Sequence, residues 1–396
     1  MPTTRRSNCN SQRGAAKLYL AFDLGWSDWK LAFTVGSGQK PRLRSIPAGA
    51  LFRLEAEIAK AKKRFGLPED APVVSLYEAG RDGFWLHRFL QHRGIENYVV
   101  DSSSIDVKRR ARRAKSDRLD ADKLLRMLLR YDQGEETVFS VVQVPSEEDE
   151  DARQLHRELQ ALKAECTRHG NRIRGLLAGQ GLSISIDRHL PHNLKQLRTW
   201  DKRPLPPDLH RRILREFERM QVANRQIREV SRERDERIRH AKSERIEQVR
   251  RLLLIKGIGL NSAWLFVMEL FGWRNFTTGR QVGSMIGLCP TPYASGGMNH
   301  EQGISKAGNR RVRWMAVEVA WCWLRWQPES RLSRWYQGRF ASGSSRQRRI
   351  GIVAVARKLM VALWKYLEQG EVPDGAEMLD EWRSKVFLNV GSLSPA

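Results

Sequence analysis

Four carboxylates in the first third of the chain have the residue type and the placement of metal ligands. Asp23 ends the apolar run in AFDLG, and Glu78 ends the one in SLYEAG. Asp117 and Asp120 lie three residues apart in SDRLDADKLL, a spacing that puts both side chains on one helical face. Such oxygen ligands suit Mg²⁺ or Mn²⁺, and two of these ions can activate a nucleophile and stabilise the leaving oxygen of a phosphodiester. The four residues therefore predict metal-dependent chemistry on a phosphodiester.

Ordinary structural roles compete with this interpretation. Asp117 could cap a helix, because aspartate is favoured at helix starts. Asp23 stands two residues before Gly25 and could be a turn residue. The same AFDLG segment also resembles the turn that holds phosphate in actin-like sugar kinases. We expect Asp122 to be an exposed helix residue and not a fifth ligand.

A basic run directly precedes the Asp117/Asp120 pair. Six of the eight positions from 108 to 115 are cationic: Lys108, Arg109, Arg110, Arg112, Arg113 and Lys115. Cations can hold a phosphate backbone while neighbouring carboxylates hold the metal, which is the arrangement a nuclease needs. A run of this kind is otherwise a solvated face or a linker.

A serine in the last third of the chain is a second candidate for chemistry. Ser295 lies between Ala294 and the Gly296-Gly297 pair, a setting that leaves a hydroxyl exposed on a mobile loop. Four candidate phosphate ligands follow in GISKAGNRRVR: Lys306, Arg310, Arg311 and Arg313. A serine in a glycine-rich loop is by itself most often a turn residue, and no Ser-His-Asp arrangement of the hydrolase type is recognisable.

Composition points to a nucleic-acid partner. The 396 residues include 70 Lys and Arg against 45 Asp and Glu, a formal charge of +25. Such an excess favours a polyanion, most simply nucleic acid. No run of about 18 apolar residues predicts a membrane span, and the polar N-terminus does not look like a secretory signal. The four cysteines are far apart, which fits a reduced cytoplasm.

Periodicity divides the chain into regions. Alternating strand and helix patterns from 17 to 148 predict an α/β domain after a flexible tail at 1–16. The strands are expected at 18–35 (a hairpin), 72–77 and 97–100, and the helices at 51–65, 84–93 and 118–130.

Two long, charged helices are expected between 149 and 251. The first has an apolar seam with steps of four and three from Leu155 to Leu176, and the second runs from about Leu209 to Arg250. The narrow seams predict that these helices pair, either with each other or with another subunit.

A mostly helical region is expected at 252–370, followed by a C-terminal tail at 371–396. The Gly257-Ile258-Gly259 turn resembles a helix-hairpin-helix element, which exposes backbone amides to phosphate. Residues 279–314 are expected to form a basic, glycine-rich loop and the start of a helix.

In this order, Asp23, Glu78, SDRLDA and SGG…GISKAGNRRVR resemble the DEDD transposases of the Piv/MooV type, which are bridge-RNA-guided insertion-sequence recombinases. The likeness extends over most of 18–368 and includes NRIRGLLAGQG, IKGIG and VAVARKLMVALW.

The resemblance implies a multidomain α/β plus α architecture. Its parts are an N-terminal RuvC-like ribonuclease H fold, a coiled-coil insertion and a helical transposase domain. It also implies a Mg²⁺-binding tetrad of Asp23, Glu78, Asp117 and Asp120, and a Ser295 nucleophile that joins DNA through a phosphoserine. The expected partners are donor and target double-stranded DNA, a structured noncoding guide RNA and further copies of the chain, as a dimer or tetramer. The expected location is the bacterial cytoplasm, at the nucleoid.

Three other functions remain open. A RuvC-like nuclease or junction resolvase would use the same tetrad with water as the nucleophile, and Ser295 would then be dispensable. An actin-like kinase would need a second glycine-rich phosphate loop, which the sequence does not show. A non-catalytic DNA- or RNA-binding protein would lack metal-dependent activity.

Overall fold

A computed structural model describes residues 16–80, 83–105, 117–295 and 298–381, and at residues 103, 117–120, 292–295 and 298–302 it describes the backbone alone. The chain forms two compact units, one ending at Pro145 and the other beginning at Ser146. The expected N-terminal tail up to residue 15 and the basic run from Lys108 to Lys115 lie outside the described residues, as do Gly296, Gly297 and the chain after residue 381.

The first unit is a five-stranded mixed sheet with helices on both faces. Its elements are β1 (Leu18–Leu24), β2 (Asp28–Thr34), β3 (Arg42–Pro47), α1 (Leu51–Arg64), β4 (Val73–Glu78), α2 (Trp85–His92), β5 (Glu96–Val100) and α3 (Asp117–Asp132). The strand order is β3-β2-β1-β4-β5, with β1, β4 and β5 parallel and β2 antiparallel to both of its neighbours. The predicted strands and helices are confirmed, and the mixed sheet is consistent with a ribonuclease-H-like domain.

Strand alternation builds a core on each face of this sheet. Phe22, Trp29 and Tyr77 are buried on the face covered by α1 and α2. Ala21 and Leu76 point to the opposite face and pack against α3. β3 was not predicted, because Arg42 and Arg44 interrupt the apolar alternation of RLRSIP.

The direction of α3 across the sheet is fixed at its C-terminal end. Asp132 accepts hydrogen bonds from the Tyr19 hydroxyl at 2.7 Å and the Lys17 ammonium at 3.0 Å. These contacts tie the last residue of α3 to the beginning of β1. Because α3 packs along β1, its first turns lie towards the carboxyl end of that strand.

The second unit is mostly helical. Its elements are α4 (Glu147–Ala152), α5 (Gln154–Ala178), α6 (Leu190–Gln196), α7 (Pro207–His240), α8 (Glu244–Leu253), α9 (Leu260–Phe266), a π-helical turn (Val267–Phe271), α10 (Gly279–Met285), β6 (Pro290–Ser295), β7 (Met298–Ile304), α11 (Arg310–Trp326), α12 (Arg331–Tyr336), a second π-helical turn (Gln337–Ala341) and α13 (Ser345–Gln369). Among the described helices of the chain, none is long and apolar enough to cross a membrane.

The two long helices α5 and α7 pair with each other in an antiparallel hairpin. The Cys166 thiol donates to the Asn224 side-chain oxygen at 3.2 Å, and His169 bonds Glu216 at 2.6 Å. Of the two pairings predicted from the apolar seams, the structure therefore contains the one within a single chain. The second helix was expected to continue to Arg250, but it ends at His240, and Ser243 caps a new helix.

Three segments after residue 252 differ from their predicted forms. The amides of the Gly257–Gly259 turn bond internally, Ile258 N to Ile255 O at 3.2 Å and Gly259 N to Ser262 Oγ at 3.1 Å, so these two are not presented to phosphate. The expected loop after residue 279 contains helix α10 and the β6–β7 hairpin. The beginning of the expected tail is bonded to the helical core, with Leu379 N donating to Leu254 O at 2.7 Å.

Gly308 allows the segment after β7 to pass close to α10. It has φ +80°, and a Cβ there would lie 2.0 Å from the Met285 oxygen. Gly303 has φ +89°, but no described heavy atom lies within 4 Å of its Cβ position.

Alanine substitutions at Gly308 and Gly303 should therefore lower the free energy of unfolding by different amounts. Both changes carry the left-handed backbone penalty of about 1–2 kcal/mol. Gly308→Ala adds a backbone clash, so we expect it to lower the free energy of unfolding by about 2 kcal/mol more than Gly303→Ala. Urea unfolding followed by tryptophan fluorescence measures the difference. Equal losses would show that the close approach does not constrain the segment.

Candidate functional site

Asp23 and Glu78 lie side by side at one edge of the sheet. The parallel register pairs Phe22 with Tyr77, and each carboxylate is the next residue along its strand. By alternation, both belong to the face that carries Ala21 and Leu76, which is the face covered by α3. Asp23 is half-buried and Glu78 is exposed. Parallel pairing has thus brought together two acidic residues that are far apart in sequence.

The backbone of α3 brings the other predicted pair towards the same edge. From Tyr19 to Asp23 the strand rises about 13 Å, a distance that about nine helical residues cover. The position nine residues before Asp132 lies in the second turn of α3. The first turn, which contains Asp117 and Asp120, lies just beyond that point along the helix. The side chains of Asp117 and Asp120 lie outside the described residues.

The donor set at this edge fits a hard divalent cation. Both described ligand candidates are carboxylates, the type that Mg²⁺ and Mn²⁺ prefer. Among side chains that the structure describes, no group of three or more His, Cys, Asp and Glu converges on a metal position. Asp122 lies on α3 and pairs with Arg126 of the same helix at 2.6 Å, but it is half-buried and not exposed as expected.

One further acidic residue at this edge was missed. Asp101 directly follows β5, is half-buried, and donates its backbone amide to the Ser140 oxygen at 2.9 Å. Its signal in the sequence was the same as that of Asp23 and Glu78, an acidic residue at the end of an apolar strand.

Ser295 is the last residue of β6 and pairs with Met298, the first residue of β7. It therefore stands at the end of a β-hairpin strand, and not in an irregular loop. A residue in this position is set by the register of the hairpin, which gives its backbone a defined place. The Ser295 side chain lies outside the described residues.

The four cations after Ser295 differ in their surroundings. Lys306 is exposed between β7 and α11, and Arg310 and Arg311 are exposed on the first turn of α11. Arg313 is half-buried and donates to the Ile286 oxygen at 3.2 Å and the Ala307 oxygen at 3.1 Å. Part of its donor capacity is therefore used within the protein.

A buried polar network fixes the start of α11. Asn309 caps the helix by accepting from Arg311 N at 3.0 Å and Val312 N at 3.2 Å. Its amide donates to Glu269 at 3.1 Å, and Arg157 donates to both oxygens of Glu269 at 2.7 and 3.0 Å. Burial alone would raise the pKa of Glu269, but the bonds from Arg157 and Asn309 outweigh it and hold the pKa below its usual range. Glu269 therefore stays charged and links α5 to α11.

His156 lies near this network without a hydrogen bond. Its side chain is 2% exposed, and neither ring nitrogen has a partner among the described residues. Burial, and then the charge of Arg234, lower its pKa to about 4. His156 is therefore neutral at pH 7.

The candidate metal ligands and Ser295 all lie in regions of the chain that match known protein families. A family designated DEDD_Tnp_IS110 and described as "Transposase" matches residues 23–180, and one described as "Transposase IS116/IS110/IS902 family" matches residues 249–334. The first range includes Asp23, Glu78, Asp117 and Asp120, and the second includes Ser295.

The chain is also similar to curated proteins over most of its length. It is 41% identical over 374 residues to "Putative transposase y4rJ" of Sinorhizobium fredii, which covers 91% of this chain and 94% of that relative. It is 32% identical over 232 residues to "Transposase for insertion sequence element IS1328" of Yersinia enterocolitica, covering 58% of this chain and 66% of that relative.

His156→Leu should reduce the acid sensitivity of the second unit. Below about pH 6.5 the unfolded chain protonates this histidine, whereas the folded protein does so only near pH 4, so wild-type stability falls between these values. The contribution of this one residue is roughly 3 kcal/mol over that range. We expect the variant to be at least as stable as wild type at pH 7, because no described hydrogen bond is lost.

Urea unfolding at pH 7.0 and 5.0 measures this effect for both proteins. The loss of stability between the two pH values should be smaller in His156→Leu. Equal losses in the two proteins would contradict the buried neutral state of His156.

Proposed function

This chain belongs to the IS116/IS110/IS902 family of insertion-sequence transposases, and we propose that it exchanges DNA strands through a covalent link to Ser295. The observation that supports the proposal best is the parallel pairing of β1 with β4, which puts Asp23 beside Glu78 on the face of α3. This sheet edge can hold a metal, whereas a serine at the end of a hairpin strand, followed by exposed cations, is placed to meet a DNA phosphate.

The metal site in this proposal consists of Asp23, Glu78, Asp117 and Asp120. A bound Mg²⁺ or Mn²⁺ would supply Lewis-acid stabilisation of charge on the phosphodiester oxygens. The four carboxylates orient the ion and balance its charge.

Ser295 attacks the phosphorus atom of a DNA phosphodiester. The Oγ–P bond forms as one P–O bond of the DNA breaks, the serine proton passes to solvent or a neighbouring base, and the departing strand leaves as a free hydroxyl after taking up a proton. The free hydroxyl of the strand to be joined then attacks the phosphoserine and releases Ser295. One phosphodiester is lost and one is regained, so the exchange needs no nucleotide hydrolysis.

Exposed cations on this unit would hold the phosphate. Lys306 and Arg310 lie within fifteen residues of Ser295 and carry exposed side chains. Neutralising a phosphate lowers the cost of nucleophilic attack on it. In the first unit, the basic run from Lys108 to Lys115 would contact the backbone of DNA or RNA.

We infer the remaining partners from the charge of the chain and from the chemistry of strand exchange. A formal charge of +25 can accommodate donor DNA, target DNA and a structured guide RNA that reads the sequence of both. Exchange of both strands between two duplexes breaks four phosphodiesters, and each Ser295 carries one link at a time. The reaction therefore needs more than one copy of the chain, as a dimer or tetramer acting at the bacterial nucleoid.

A junction resolvase is the second candidate, because the same sheet edge could direct water at the phosphodiester. In that enzyme Ser295 would not be needed.

Substitution of Ser295 or of a proposed metal ligand should strongly reduce recombination between donor and target plasmids. We expect Ser295→Ala, Asp23→Asn and Asp120→Asn each to lower the yield of recombinant junctions at least about 100-fold, because each removes a group that acts on the reacting phosphate. Sequencing across the junctions counts the products.

Two substitutions serve as matched controls. Asp28→Asn removes a half-buried carboxylate of the same sheet that is paired with Lys30 and Ser45, and Ser342→Ala removes an exposed hydroxyl of the second unit. Both should recombine at close to the wild-type level. Wild-type recombination by Ser295→Ala would overturn the assignment of Ser295 as the nucleophile, and wild-type recombination by Asp23→Asn or Asp120→Asn would overturn the assignment of that carboxylate to the metal site.

A further inference from the structure

An open cavity of about 680 Å³ lies between α5 and the first turn of α11. It is lined by two amides, three cations and one aromatic ring: Gln160, Asn309, Lys163, Arg310, Arg311 and Trp314. The described lining thus contains no carboxylate. Its volume falls in the range of pockets that hold small organic ligands.

Trp314 is the unusual member of this set. Its side chain is 56% exposed, although the face of α11 with Val312, Ala316 and Val319 is buried in the core. An indole left this exposed in a cavity lined by cations is not required by the packing of the helix. Its ring offers a flat surface on which another planar group can stack.

The cations of the cavity are available to an anion. Lys163, Arg310 and Arg311 are exposed, and none of them forms an ion pair with a carboxylate of the described residues. The start of α11 adds the positive end of a 17-residue helix. Crowding by protein atoms, and then the charge of Arg234, lower the pKa of Lys163, so a bound anion would restore the stability of its charged form.

We propose that this cavity binds one unpaired nucleotide, with its base stacked on Trp314 and its phosphate held by Lys163 and Arg311. The inference deepens the proposed function, on which it rests for the presence of nucleic acid. Bases inside a duplex do not offer their faces to a side chain, whereas looped or melted strands do. Gln160 can donate to and accept from the edge of the stacked base.

The wall of this cavity is held in place by buried bonds. Asn309 is tied to Glu269 through its side chain, and its backbone amide donates to the Met285 oxygen at 3.0 Å. Lys306 N donates to the Gly287 oxygen at 3.1 Å. The segment from β7 to α11 is therefore anchored, and Asn309, the first lining residue of the cavity on this segment, comes five residues after the end of β7.

The test uses fluorescence anisotropy of the full-length protein with three labelled probes: an RNA hairpin with an unpaired loop, its DNA counterpart and a fully paired DNA duplex. Stacking of one base contributes about 1–3 kcal/mol, so Trp314→Ala should weaken binding of a looped probe by about 5- to 150-fold. Trp314→Phe should keep most of the affinity. Binding of the paired duplex should not change.

Trp321→Ala is the matched control, because Trp321 is 45% exposed on the same helix but lies outside the cavity. It should bind all probes as wild type does. Loss with RNA alone or DNA alone identifies the source of the nucleotide, and loss with both indicates that the sugar is not read. Unchanged binding of both looped probes, or an equal loss with the duplex, would overturn the proposal.

This readout does not depend on catalysis. If Ser295→Ala recombines normally while Trp314→Ala loses the looped probes, the proposed strand-exchange mechanism fails and the nucleotide site stands. If the reverse holds, the cavity is not a nucleotide site and the mechanism is unaffected.

Discussion

Two like charges held next to each other are the constraint on which the first unit depends. Asp23 and Glu78 extend two hydrogen-bonded parallel strands, so their separation is set by the sheet and cannot relax. Carboxylates at neighbouring strand ends can bind one divalent cation together, because their oxygens are the ligands that such ions prefer. Burial of Ala21 and Leu76 beneath α3 keeps the strands paired and so keeps the two residues side by side. The apolar packing therefore holds in place the residues that the proposed metal site needs.

The second unit depends on a different interaction, a buried carboxylate whose oxygens both accept hydrogen bonds. Glu269 is 2% exposed, but Arg157 and Asn309 satisfy its oxygens, so α5 and α11 are joined by a charge-assisted network. Removing one partner of such a network is costly because the other charge stays buried. The network anchors the first turn of α11, which carries two exposed arginines. It also places the cavity at Trp314 on an anchored wall.

Local sequence patterns were sufficient to predict most helices and strands, whereas contacts between residues that are distant in the sequence could not be predicted. The apolar runs before Asp23 and Glu78 predicted two strands and suggested that their ends could meet. β3 was missed because its arginines hide the alternation, and the β6–β7 hairpin was taken for a loop because of its glycine and proline residues. The Arg157–Glu269 pair joins residues 112 positions apart, and no periodicity in the sequence indicates it. Asp101 stands at the end of an apolar strand, as Asp23 and Glu78 do, so the same pattern could have identified it as a candidate.

The central claim is that a serine, and not water, attacks the DNA. The most direct measurement is to incubate full-length protein with labelled donor DNA and Mg²⁺, stop the reaction with detergent, and map any protein–DNA adduct by mass spectrometry. The account predicts an adduct that requires the metal and maps to the peptide containing Ser295. Cleaved DNA with free ends and no adduct on that peptide would contradict it.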